Sequence, residues 1–146
     1  MIDKRIFKLI KSLKVKLDLN KSYCYNLLNA GSYNFDTDTI FINDTFYSDY
    51  KMTTAVYLHE IAHSTGHKNR LNRNFQIWDY VSISNEEIVA ETTAYMLSIY
   101  LQFDETFHQG KLKEYTDLIS RLYGHYDRDY VINESKKAFD YLIKFL

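Results

Sequence analysis

The sequence predicts an α+β fold that is mostly helical, with a small β-hairpin or sheet near the N-terminus. Three observations carry this. Apolar residues recur at helical spacing in several long segments, and one stretch between the first two alternates apolar or β-branched residues with turn formers. The 146 residues are also 46% hydrophobic and 16% aromatic, which fits one ordinary packed core and not a disordered chain. No repeat, low-complexity tract or linker divides the chain, so residues 1–146 read as a single domain. The 14 tyrosines beside no proline read as compositional drift of an AT-rich genome.

The first helix is expected from about Asp3 to Lys14. Ile6, Leu9, Ile10, Leu13 and Leu17 form an apolar stripe, and Lys4, Arg5, Lys8, Lys11, Lys14, Lys16 and Lys21 supply cations around it. Residues 1–21 therefore read as a basic amphipathic helix with its lysines in water. The competing use is a surface for a nucleic acid or an acidic partner, centred on Lys8, Lys11 and Lys14. A formal net charge of -1 disfavours a general nucleic-acid binder.

From Gly31 to Asn43 the sequence GSYNFDTDTIFIN places Asp36, Thr37 and Asp38 between apolar or β-branched residues. This predicts a β-hairpin with Thr39 to Ile42 as its better strand. That strand is also a candidate edge for holding an extended peptide. A second helix follows from about Tyr50 to Thr65, closed by Gly66 as a left-handed C-terminal residue. Lys68 to Ser82 reads as irregular. Ser84 and Glu87 have the spacing of a capping box, opening a helix that runs to about Gln102. One or two helices complete the chain, the last from about Tyr130 to Phe145 with Ala138, Tyr141, Leu142 and Phe145 facing inward.

Cys24 is the only cysteine, so no intrachain disulfide can form. No run approaches the roughly 20 apolar residues of a membrane span, and lysines interrupt any signal-peptide core. A cytoplasmic protein with no membrane partner is expected.

The chemistry concentrates in His59-Glu60-Ile61-Ala62-His63, an H-E-x-x-H sequence inside the second helix. Four residues are slightly more than one turn, so both imidazoles project from one face and can share a tetrahedral Zn²⁺, one per chain. Glu60, about 100° further round, can accept a proton from water activated by the metal as it attacks a carbonyl. The pattern arises by chance in about one such chain in a hundred. Its independent placement on a helix, with Ala55, Ala62 and Gly66 leaving space beside the histidines, favours a metal over incidental histidines.

A catalytic zinc needs a third protein ligand and an open fourth position. The longer pattern H-E-x-x-H-x-x-G-x-x-H ends here at Asn69, and His67 follows the end of the helix. The third ligand is therefore expected in Asn85 to Glu91 (NEEIVAE), which offers Glu86, Glu87 and Glu91. Glu87 is committed to the capping box, whereas Glu91 lies among Ile88, Val89, Ala90 and Ala94, where a carboxylate needs a partner. Glu91 is favoured as ligand, with Glu87 as the alternative or as an acceptor for a histidine N–H.

These blocks, HEIAHSTGHKNRLNR from His59 to Arg73 and EEIVAE from Glu86 to Glu91, resemble the metallopeptidase domain of ArdC-type antirestriction proteins. Related domains occur in polyvalent proteins of phages and conjugative plasmids. The resemblance spans about residues 31–142. It implies a zincin-like fold, His59, His63 and Glu91 as ligands, Glu60 as catalytic base, and a role in defending incoming DNA against the host. ArdC-type proteins also carry an N-terminal single-stranded-DNA-binding domain, for which this chain has no room.

Gly66, His67, Arg70 and Arg73 are candidates for a cleft wall gripping an acidic substrate, or else form a helix cap and a solvated basic loop. Tyr57, Tyr80 and Tyr95 are candidates to stabilise an oxyanion, though core packing is the plainer reading. His108 and His125 read as surface or capping residues. The leading function is a zinc-dependent peptidase acting on a protein or peptide, such as a host defence protein. The competitors are a non-catalytic inhibitor of a host nuclease or CRISPR effector, and a DNA-binding antirestriction protein with structural zinc.

Overall fold

A computed structural model describes residues 3–19, 30–43, 49–73, 80–123 and 126–146. Helix α1 (Lys4–Leu13) is capped by Asp3, whose side chain accepts from the Arg5 N–H. Ile6, Leu9, Ile10 and Leu13 turn inward, and Lys4, Lys8, Lys11 and Lys14 stay exposed, so the amphipathic stripe is a docking face for the core. The helix ends where the Asp3 to Lys14 expectation puts it, with Lys14 left-handed at φ 56°, and does not continue through the wider basic stretch 1–21. The chain then extends as strand β1 (Lys16–Asp18), which the sequence reading missed. Three residues are too few to show a period of two against the lysine pattern.

The expected hairpin forms as β2 (Gly31–Asn34) and β3 (Thr39–Ile42). Its turn is an Asn34 side-chain turn: Oδ1 accepts from the backbone N–H groups of Asp36 and Thr37, both at 2.9 Å. The sheet order is β1-β3-β2, with β1 parallel and β2 antiparallel to β3. Thr39–Ile42 is therefore the central strand and presents no free edge, because β1 takes the side opposite the hairpin. Its Ile40 and Ile42 are buried in the core.

Helix α2 (Tyr50–Ser64) is capped by Asp49 and runs through the middle of the molecule, between the sheet and α3 (Tyr80–Leu101). Its second and third turns are buried on nearly every face, including Val56, Tyr57, Leu58, Ile61 and Ala62. Helix α3 begins four residues before Ser84, so Ser84 and Glu87 lie inside the helix and form no capping box. Helix α4 (Thr106–Tyr123) and α5 (Arg128–Leu142) both pack on α3. A 3₁₀ turn (Ile143–Phe145) ends the chain, so the last helical stretch lies as expected, with Ala138 and Leu142 fully buried. No helix among the described residues is long and apolar enough to cross a membrane.

The larger core joins α1, β3, α2, the C-terminal half of α3 and Leu142. A smaller one joins Ile88 and Val89 of α3 to Val131 of α5. The helices also bury polar residues: Glu60 and His63 on α2, Glu86 and Glu91 on α3, and His108 on α4.

Candidate metal centre

One helical turn separates His59 from His63, and their side chains meet on the face of α2 that is covered by α3. The two Nε2 atoms lie 3.0 Å apart. Glu87 of α3 completes a triangle, with Oε2 3.3 Å from His59 Nε2 and Oε1 3.4 Å from His63 Nε2. Among the described residues these three form the cluster with metal-ligand character. A tetrahedral zinc with bonds of about 2.0–2.1 Å has edges of about 3.4 Å, and each histidine has one Glu87 oxygen near that spacing, a different oxygen for each ring.

The opposite ring nitrogens fix the tautomers. His63 Nδ1 lies 3.2 Å from Glu86 Oε1. His59 Nδ1 lies 2.7 Å from Glu91 Oε2, although its N–H does not point straight at the oxygen. With His63 Nδ1 hydrogen-bonded to Glu86 and His59 Nδ1 in close contact with Glu91, both Nε2 atoms turn towards each other and the Glu87 carboxylate. Acceptors gathered without a donor need a cation or protons between them. The donor set therefore fits a divalent metal.

The sequence favours Glu91 as the third ligand, whereas the geometry favours Glu87. The reason is the start of α3: Glu87 has no N-terminus to cap and is free to face both histidines. Glu91, one turn on and 1% exposed, reaches only the back of the His59 ring. The side chain of Glu87 is 34% exposed against 8% for His63, so the cluster opens to solvent on the Glu87 side.

Electrostatics agree with this arrangement. Burial works against the imidazolium of His63, but the Glu87 charge and the Glu86 hydrogen bond overcome it and raise the pKa to about 9. Burial likewise opposes the charged form of His59, and Glu87 and Glu91 raise its pKa well above the usual value. Without metal, protons take the cation's place. Burial pushes the Glu60 carboxyl upward despite the pull of both histidines. Glu86 and Glu91 are also opposed by burial, yet Arg73 and His108, respectively, help hold them below the ordinary range.

Glu60 is buried beside the first residue of β2. A Cβ placed on Gly31 would stand 3.1 Å from the Glu60 carboxylate and 2.7 Å from Val56. Gly31 thus lets the edge strand approach the acid, a role that neither motif nor spacing reveals.

The basic residues after α2 do not form a cleft wall. Gly66 is not left-handed. It is the floor under Arg73, whose guanidinium would lie 2.9 Å from an added Cβ. The Arg73 side chain is fully buried and grips both oxygens of Glu86, at 2.8 and 2.5 Å. Arg70 gives its Nε–H to the Ser64 carbonyl and its remaining donors to the Leu13 carbonyl, the Tyr33 hydroxyl and both oxygens of Asp38. It ties α1, the hairpin and α2 together and has no donor left for a substrate. His67 is buried too, its Nδ1 accepting from the Asn69 N–H at 3.3 Å.

Tyr57 belongs to the core, edge-on to Phe7, and Tyr95 is half-buried. The Tyr80 side chain and His125 lie outside the described residues. His108 is not a surface residue: it is fully buried, with Nδ1 hydrogen-bonded to Glu91 Oε1. No motif in the sequence marks it.

The zincin-like metallopeptidase family MPTase-PolyVal matches residues 14–118, a span that contains α2, α3 and the whole cluster. This chain belongs to that family. Two solved structures share the fold of this zincin-like domain, both of the antirestriction protein ArdC from the R388 plasmid. The Mn(II)-bound crystal structure superposes with a TM-score of 0.65 at 21% identity, covering 99% of this chain and 53% of that one. The metal-free crystal structure gives 0.66 at 22% identity, with 99% and 51% covered. The chain thus spans about half the length of the ArdC chain. No curated protein matches it.

Proposed function

We propose that this protein is a zinc-dependent peptidase in which His59, His63 and Glu87 hold the metal and Glu60 is the general base. The observation that carries the reading is the facing pair of Nε2 atoms beside the Glu87 carboxylate, with each Nδ1 backed by a separate acid. A zinc ion in that position supplies a Lewis acid and lowers the pKa of water towards 7. Glu60 follows His59 on the same turn, and its buried carboxyl, raised above the ordinary range, is the better proton acceptor for it. Glu86 and Glu91 orient the imidazoles and serve as their N–H acceptors.

The substrate in this reading is an extended peptide laid along β2. That strand lies at the edge of the sheet, and its first residue, Gly31, adjoins Glu60. The likeness to ArdC supports a counter-defence role on a mobile element, with a host defence protein as target in the cytoplasm.

The test combines metal content with activity. Purified protein should contain one zinc, lost in His63→Ala. Glu60→Gln should keep the metal and lose cleavage of an unstructured protein substrate by about 10²–10⁴-fold. Full antirestriction effect in cells expressing Glu60→Gln would show that hydrolysis is not the mechanism.

A further inference from the structure

We infer that His108 on α4 is a positioning residue for the metal centre, which tightens metal binding by fixing the carboxylate that backs His59. The inference rests on the metal reading above and adds a residue from a helix that carries none of the motif.

Glu91 is held from two sides. One oxygen accepts from His108 Nδ1, and the other lies 2.7 Å from His59 Nδ1. The hydrogen bond from His108 holds one oxygen, and the other stays in close contact with His59 Nδ1, which keeps the carboxylate behind a ring whose Nε2 faces His63. Without His108, Oε1 of Glu91 would lose its partner in a site where the residue is 1% exposed. The carboxylate would then turn in search of another donor and release His59. His108 has no other polar role among the described residues, since its Nε2 is buried without a hydrogen-bond partner. An apolar side chain could occupy that space without stranding a nitrogen, and the atom that justifies a histidine is the Nδ1 aimed at Glu91.

The placement of His108 is built into the fold. It occupies the first turn of α4, where Asp104 caps the helix by accepting from the Thr106 N–H at 3.0 Å. The same Asp104 pairs with Lys51 at the start of α2, 3.1 Å away. The start of α4 is thereby tied to the helix that carries both histidines. The His63 side has the same architecture, with Arg73 behind Glu86. Each metal-facing imidazole is thus backed by an acid that is itself backed from a different segment.

Zinc affinity, measured by competition with a chromophoric chelator, tests this in the wild type, His108→Leu and His108→Asn. Leucine should weaken binding about tenfold or more, within the range of such outer partners. Asparagine can offer an N–H from nearly the same position as Nδ1 and should recover binding to within about threefold of wild type. Equal affinity in the leucine variant, or equal loss in both variants, would overturn the inference. Absence of zinc binding in the wild type would instead remove the metal reading itself. Should the leucine variant fail to fold, ¹⁵N-histidine resonances of the wild type decide. The His108 ring nitrogens should shift when zinc is added, and unchanged resonances alongside normal zinc binding would overturn the inference.

Discussion

Arg73 clamps Glu86 from a different segment of chain, its Nε 2.8 Å from one carboxylate oxygen and its Nη2 2.5 Å from the other. The second of these oxygens also meets His63 Nδ1 at 3.2 Å. A residue that the sequence offers either as a cleft wall or as part of a solvated basic loop is thus wholly buried and reaches His63 through an acid.

Removing that guanidinium should therefore affect folding and metal binding together. Arg73→Met leaves the Glu86 charge buried beside His63 and should cost about 3–5 kcal/mol of stability. Arg73→Lys should recover only part of it, because an ammonium cannot make the two-pronged contact. Urea denaturation of the metal-free proteins measures both. A loss under 1 kcal/mol in the methionine variant would contradict the clamp.

Glu87 and Glu91 should separate by metal affinity. Glu87→Ala removes a ligand and should weaken zinc by well over a hundredfold. Glu91→Ala removes an N–H acceptor and should weaken it about 10- to 100-fold. Isothermal titration with a competing chelator gives the ranking, and the reverse order would make Glu91 the ligand.

Gly31 should not tolerate a side chain. Alanine there would place its Cβ 2.7 Å from Val56 Cγ1 and 3.1 Å from the Glu60 carboxylate. Gly31→Ala should lower stability by about 1–3 kcal/mol through overpacking. Peptidase activity should fall further than stability does, because the shift falls on Glu60. Thermal unfolding beside a cleavage assay checks both effects.

Zinc uptake should release protons at neutral pH. The pKa of metal-free His63 is raised to about 9 and that of His59 is also raised, so the proton held between the rings and the Glu87 carboxylate at neutral pH must leave when the metal binds. Affinity should rise steeply with pH up to about 9. The raised His63 pKa stabilises the metal-free fold below the unfolded imidazole value of about 6.5, and that contribution is lost as pH rises through about 9. Melting temperatures with chelator should fall across this window, and the gap to the zinc-loaded protein should widen. A constant gap from pH 6 to 9 would count against proton–metal exchange at these rings.

The sequence by itself determined the elements whose signal is local. The amphipathic stripe of α1, the turn formers of the hairpin and the one-turn spacing of His59 and His63 each follow from a few neighbouring residues and a fixed backbone period. The family resemblance was equally legible, because two contiguous blocks carry it. What only tertiary structure decided depends on residues brought together from separate segments. The capping-box spacing at Ser84 gave a wrong start for α3, which begins four residues earlier at Tyr80; Glu87 then lies inside the helix and joins the cluster. Strand β1 exists because β3 offers it an edge, and no pattern within Lys16–Asp18 requires it. Arg70, Arg73 and His108 are polar residue types with a prior for the surface, and they are buried because partners distant in the chain satisfy their hydrogen bonds. A burial that depends on a partner tens of residues away leaves no periodic trace in the sequence.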